Sequence, residues 1–259
     1  MDKVKAGSSK EFVIINKILY KKCQTPDVYL LCLPQIMASP AVLNLHKLYG
    51  FHFSKDHMTN KLRKIIFCPD LEKLVQDILN TCPVCKLTPK KALYRQIGSQ
   101  KSTLYRPLQA VVVDSLYLPS DKLGYNKALL LCDAATGKIS IFPEKNLQAS
   151  TARKSILNYL YCTPAPQFLI SDKGSEFEKN LDLFLAQYDI TLLSLSSHQK
   201  GATSLAEANI KLCKSALRRI QIADPSNWSF SIPLVCQGIN ESLLYGQVSR
   251  NSLFFNPAY

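Results

Sequence analysis

The sequence predicts an α/β protein: a mixed sheet with helices on both faces, preceded by a small helical domain and a short N-terminal β-hairpin. Three observations carry this. From about residue 108, apolar strand-like runs are split by turn signals and then alternate with helical segments. Residues 35–87 repeat apolar positions at helical spacing and carry a His/Cys set. Residues 11–34 gather β-branched and apolar residues around QTPD, a turn signature.

Taken in order, residues 1–34 read as a β extension and 35–88 as a small zinc-binding domain. In the latter, PDLEKLVQDILNTC is the clearest helix, with Pro69 and Asp70 at its start. Residues 89–107 are basic, polar and poor in periodicity, as a linker would be. Residues 108–259 form the α/β core. LQAVVVDSLYL, KALLLCDAAT and KISIFPEK are its first strands, divided by the turn signals Asp121 to Gly124 and Thr136-Gly137. Helices are expected at 149–160, 178–188, 204–222 and about 229–245, with QFLISD and TLLSLS as strands between them.

Bulk properties narrow the function. No apolar run of about 18 residues or more occurs, which excludes a transmembrane helix. The start MDKVKAGSSKEF lacks the apolar segment of a secretory signal, so an intracellular protein is expected. In that setting nine cysteines favour thiols or metal ligands over disulfides. Net charge is +13, of which residues 1–100 carry +9 (16 Lys/Arg less 7 Asp/Glu). Such an excess favours a polyanionic partner, nucleic acid above all.

Cys82-Pro-Val-Cys85 is a CxxC knuckle. Redox chemistry would call for a βαβ context, and the flanks here are a helix and a basic loop. His46 and His52 upstream complete an N2S2 set that suits tetrahedral Zn²⁺, whose binding stabilises a domain with little core of its own. His57 is a competing ligand, on a helix expected over 53–66.

Three acidic residues stand in strand-end and helix contexts: Asp114 after VVV, Asp172 after FLIS, and Glu207 in SLAEANIKLCKSALRR. Each has a plain structural reading. An aspartate after a strand caps a turn, and Glu207 pairs with Lys211 at helical i,i+4 spacing. Together they offer the oxygen ligands that Mg²⁺ or Mn²⁺ uses in phosphodiester chemistry. On the Glu207 helix, Ala206, Ile210, Cys213, Leu217 and Ile220 make an apolar stripe, while Lys211, Lys214 and Arg218 share the stripe of Glu207. That second stripe reads either as a solvated face or as a phosphate-binding ridge.

In this order the motifs resemble the integrases of retroviruses and LTR retrotransposons, the Ty3/gypsy-like group above all. His46, FHFSKDHMT around His52, LRKIIFCPDL and ILNTCPVCK resemble the family's H-H-C-C zinc domain. VVVDSLYLP, LLLCDAATGKISIF with the non-catalytic Asp133, SDKGSEF and LAEANIKLCKSALR resemble its D,D,E core. NWSFSIPLVCQGINES and SRNSLFFNPAY resemble the end of that core. The resemblance covers roughly residues 11–259 and implies an RNase H-like core with a five-stranded mixed sheet. It implies a DNA integrase, carried in a Gag-Pol polyprotein, that trims 3′ ends of element DNA and joins them to target DNA. Asp114, Asp172 and Glu207 would hold Mg²⁺ or Mn²⁺, two ions in all; one Zn²⁺ would sit on His46, His52, Cys82 and Cys85; and Lys211, Lys214 and Arg218 would meet DNA. Expected partners are double-stranded DNA, further copies of the chain and other Gag-Pol products, in the nucleus or an intracellular pre-integration complex.

The sequence departs from the family in three ways. The Asp172–Glu207 spacing is one residue shorter than the family's usual one. Lys200-Gly201 and Ser204 stand where a Pro and a Gly often precede the glutamate, and His198 lies in this loop. The resemblance ends with the core, so the family's C-terminal β-barrel is expected to be missing. The alternative expectation is therefore a truncated or domesticated derivative that binds nucleic acid without strand transfer.

Overall fold

The computed structural model describes residues 11–25, 27–47, 55–87, 105–145, 149–171, 181–194, 203–241, 243–244 and 248–255. The chain divides into two compact units, Met1–Pro89 and Lys90–Tyr259.

In the first unit, β1 (Phe12–Ile15), β2 (Ile18–Lys22) and β3 (Tyr29–Cys32) pair antiparallel in sequence order. The pattern predicts one hairpin around QTPD; the structure has two turns. Between β1 and β2, Asn16 and Lys17 are both left-handed, at φ 49° and 65°, the backbone of the tight turns that match strand twist. QTPD joins β2 to β3, with the Cys23 N–H bonded to the Val28 carbonyl at 3.0 Å. Helices α1 (Gln35–Lys47) and α2 (Lys55–Leu62) follow, then β4 (Ile66–Phe67), which adds to β3 in parallel. α3 (Leu71–Thr81) and the short α4 (Pro83–Leu87) complete the unit. Its helical core is spaced by four: Ala38, Val42 and His46 on α1, Met58 and Leu62 on α2, and Leu71, Val75 and Leu79 on α3.

In the second unit, β5 (Ala110–Tyr117), β6 (Lys127–Asp133) and β7 (Ile139–Glu144) form an antiparallel meander. β8 (Phe168–Ser171) and β9 (Thr191–Ser194) add in parallel beyond β5, giving a five-stranded mixed sheet of order β7-β6-β5-β8-β9. Both faces are covered, which is why VVV and LLL run without polar interruption. Val111, Val113, Leu129, Leu131 and Leu169 meet α5 (Ala149–Cys162) and α6 (Leu181–Ala186) on one face. On the other, α7 (Ser204–Ala223) packs on β5 and β6. The expected apolar stripe of α7, Ala206 to Ile220, is buried.

The last helix is shorter than 229–245. A 3-10 turn, Trp228–Ser231, leads into α8 (Ile232–Asn240), which stops where Asn240 turns its side chain to β7. Trp228 is fully buried and its indole N–H donates to the Pro119 carbonyl at 2.9 Å. The Asn240 amide donates to the Ile139 carbonyl and accepts from the Ile139 N–H, both at 2.8 Å. One turn earlier on α8, the Ile141 N–H is bonded to the Cys236 sulfur. Pro143, the next residue with the same outward orientation, has no N–H. β10 (Leu243–Leu244), β11 (Val248–Ser249) and α9 (Arg250–Phe255) follow. Among the described residues, no helix is long and apolar enough to cross a membrane.

Candidate metal centres and carboxylate site

Packing of α1 against α3 brings His46 to the CxxC knuckle. Cys82 caps α3 in an extended conformation, its N–H bonded to the Leu79 carbonyl at 3.4 Å. The Lys86 N–H then bonds the Cys82 carbonyl at 3.1 Å, so α4 turns Cys85 to the same side as Cys82. Cys85 Sγ lies 3.4 Å from His46 Nε2, and the donor atoms of His46, Cys82 and Cys85 all fall within 4.8 Å of one another. Tetrahedral zinc with nitrogen and thiolate ligands has donor–donor edges of about 3.5 Å, so three of its four ligands fit here. His52 lies outside the described residues, as does the side chain of His57.

Asp114 sits on the central strand β5, paired with Leu130 of β6. It shares the sheet face of Val112, the face on which α7 packs. Its side chain is 40% exposed. Oδ1 accepts the Ser115 N–H at 2.6 Å and Oδ2 accepts the Lys214 ammonium at 2.6 Å. Glu207 lies in the first turn of α7, where the helix dipole favours a negative charge. Thr203, fully buried at the N-cap, donates its hydroxyl to Glu207 Oε1 at 3.0 Å and fixes that carboxylate's orientation. Lys214 is two turns beyond Glu207, and helical side chains lean toward the N-terminus. Its ammonium therefore reaches back toward the turn of Glu207. Lys211 and Arg218 on the same stripe are exposed. Asp172 lies outside the described residues. Ser171, which precedes it in sequence, pairs with Val113, which precedes Asp114. An oxygen-only donor set, open to solvent and already holding one cation at Asp114, fits a hard divalent ion.

Residues 33–91 match the integrase zinc-binding domain family. The Pro-Pol polyprotein of feline foamy virus is 25% identical over 195 residues, 74% of this chain and 16% of that one. The chain is thus similar to a retroviral polyprotein over most of its length and to the integrase zinc-binding domain family over residues 33–91. The human gypsy retrotransposon integrase-like protein 1 is 25% identical over 128 residues, 49% of this chain and 24% of the relative. The chain thus spans about a sixth of the viral polyprotein and a quarter of the human protein. Its fold is similar to a chain in the cryo-EM structure of the simian T-cell lymphotropic virus intasome in complex with PP2A regulatory subunit B56 gamma. The TM-score is 0.57 and the identity 15%, over 83% of this chain and 73% of that one. The five-stranded core is thus an integrase-type RNase H-like fold, with the zinc-binding domain preceding it in sequence.

Several residues build this core through contacts that motif reading does not give. Asp133 is buried. Its Oδ1 accepts from the Thr136 N–H and hydroxyl, both at 2.7 Å, and its Oδ2 from the Leu108 N–H at 2.9 Å. Burial pushes its carboxyl above the ordinary value, against the pull of the Thr136 bonds. Both oxygens serve the chain itself, which accounts for a structural aspartate. Gly137, at φ 70°, brings the β6–β7 turn onto α7: a Cβ there would lie 2.0 Å from Asn209 Nδ2. Asn209 Oδ1 in turn accepts from buried Arg250 at 2.9 Å, tying α9 to α7. A Thr just before Ser-Leu-Ala-Glu is an N-cap signal that identifies Thr203. Asn209 falls beside Ala206 and Cys213 on the apolar stripe, a polar residue at a core position.

Proposed function

We propose that this chain is the DNA-joining enzyme of a retroelement. In this reading it trims the 3′ ends of element DNA and inserts them into target DNA by metal-dependent transesterification. The observation that carries the reading is the meeting of central strand β5 with α7: Asp114 is bonded to the helix that carries Glu207 in its first turn. The integrase relatives and the integrase-type fold support it.

In the first step, water attacks a phosphodiester near the element end and the bond to the 3′ oxygen breaks, leaving a free 3′-hydroxyl. In the second, that hydroxyl attacks a target phosphodiester; one P–O bond forms and one breaks, so no external energy source is needed. Bound Mg²⁺ or Mn²⁺, two ions in our reading, would activate the attacking oxygen and stabilise the leaving one. The chain's own residues do the rest. Asp114 and Glu207, with Asp172 as third member, would hold the ions. Thr203 keeps one Glu207 oxygen in place. Lys211 and Arg218 grip phosphates beside the reacting bond, with Lys214 between them. One Zn²⁺ on His46, Cys82, Cys85 and His52 would hold the first unit's helices together. Bridging two DNA ends calls for more than one copy of the chain, acting where chromosomal DNA is, and other Gag-Pol products are expected beside it.

The test is strand transfer. Purified protein, short blunt duplexes, target plasmid and Mn²⁺ are combined, with wild type beside Glu207→Gln. Joined product from wild type and a loss of about a hundredfold or more in the variant is the expected result. Equal product from both would overturn the assignment. No product from either, in a folded, zinc-loaded chain that binds DNA, would favour the binding-only derivative.

A further inference from the structure

We propose that Lys214 is a place-holder cation, exchanged between Asp114 and a DNA phosphate, that couples metal binding to DNA binding. The inference rests on the reading of Asp114 as a metal-holding carboxylate and adds to it a device for when the metal binds.

Four observations carry it. First, the contact is direct: Lys214 Nζ lies 2.6 Å from Asp114 Oδ2, across 100 residues of chain. An ammonium and a divalent ion repel each other on one oxygen, so the ion must displace Lys214. Second, the two oxygens of Asp114 differ. Oδ1 is held by the Ser115 N–H at 2.6 Å, which keeps the carboxylate oriented while Oδ2 changes partner. Third, the pair can open. The Lys214 and Asp114 side chains are 24% and 40% exposed, and a pair so wetted is weakly held. Fourth, a released Lys214 has a destination. Lys211 and Arg218 flank it at i−3 and i+4 on α7, both exposed, so the three cations form one row suited to a polyanion.

Binding linkage then makes the effect reciprocal. Away from DNA, Lys214 neutralises Asp114 and the ion is held loosely. A phosphate that draws Lys214 away leaves Asp114 bare and raises its affinity for the ion. An ion on Asp114 frees Lys214 and tightens the grip on DNA. The carboxylate site is thus completed on DNA rather than before it. Lys214 is a positioning residue in this account, acting through Asp114.

The experiment is Mn²⁺ titration calorimetry on the full chain, with and without a short blunt duplex, for wild type, Lys214→Gln, Lys214→Arg, Lys211→Gln and Asp114→Asn. Without DNA, Lys214→Gln is expected to bind Mn²⁺ about two- to fivefold more tightly than wild type. The duplex is expected to tighten Mn²⁺ binding in wild type and Lys214→Arg by more than in Lys214→Gln. Lys211→Gln, a charge loss one turn away, is expected to shift the DNA-free affinity less than Lys214→Gln does. Lys214→Met keeps the side-chain length without the charge and gives the same readout should the glutamine variant not fold. Wild-type affinity and wild-type duplex gain in both neutral variants would overturn the exchange; if Asp114→Asn still weakened Mn²⁺ binding, the metal-holding role of Asp114 would survive. Mn²⁺ binding unchanged by Asp114→Asn would remove that role and the exchange with it.

Discussion

Asp121 holds the loop between β5 and β6 to the turn that leads into α8. Its Oδ1 accepts the N–H groups of Leu123 and Tyr125, both at 2.9 Å, and its Oδ2 accepts the Ser229 hydroxyl. Burial alone would raise its carboxyl, but the Ser229 hydroxyl and those backbone N–H groups outweigh it and hold the group below the ordinary aspartate value of 3.8. A carboxyl lowered by folding stabilises the fold above pH 3.8, and that contribution is lost as pH falls through the lowered folded value. Asp121→Asn is therefore expected to cost about 1–3 kcal/mol near neutral pH. In thermal melts its deficit relative to wild type narrows below pH 3.8; a deficit constant from pH 7 to pH 2.5 would contradict this account. The turn at Asp121–Gly124 is legible in the sequence, because Asp and Gly mark turns by local chemistry. The tie to Ser229, 108 residues away, is not, since no local pattern records what a carboxylate meets across the fold.

At the scale of elements, α7 carries three tasks on two stripes: the core face on one, and the Glu207 carboxylate followed by the cation row on the other. The first stripe is plain in the sequence because burial repeats every three to four residues. The cation row is legible too, but periodicity alone leaves open whether it is a solvated face, and it gives no hint that Lys214 is bonded to Asp114. For the exposed pair, Lys211→Ala and Arg218→Ala are each expected to reduce the slope of log K against log salt for duplex DNA by about 1. Fluorescence anisotropy across a salt series measures it, and an unchanged slope in both variants would reassign the row to solvent. The strand β4 was not legible at all. It is two residues long and gains its partner, β3, from about 35 positions upstream, so neither length nor alternation marks it.

Over the whole molecule, the two units owe their stability to different sources. The second has a continuous core on both faces of its sheet, whereas the first has small helices gathered around His46, Cys82 and Cys85. Structural zinc in such sites contributes about 10–16 kcal/mol of apparent binding energy. Chelation is therefore expected to melt the first unit and leave the second folded, splitting the calorimetric unfolding into two transitions. Cys82→Ser is expected to do the same and to lower zinc content by elemental analysis; a single unshifted transition in chelator would count against a structural metal. The alternation of strands and helices makes the second unit legible, while the end of α8 is not, because Asn240 is recruited by β7 rather than by its own helix. That recruitment has a wider consequence. A sheet edge invites extension by any stray strand with matching donors and acceptors. Along β7 the outward row has no N–H left to offer: that of Ile139 is engaged by Asn240, that of Ile141 by Cys236, and Pro143 has none. A strand from another molecule therefore meets no free N–H along this edge and cannot extend the sheet there by a complete ladder.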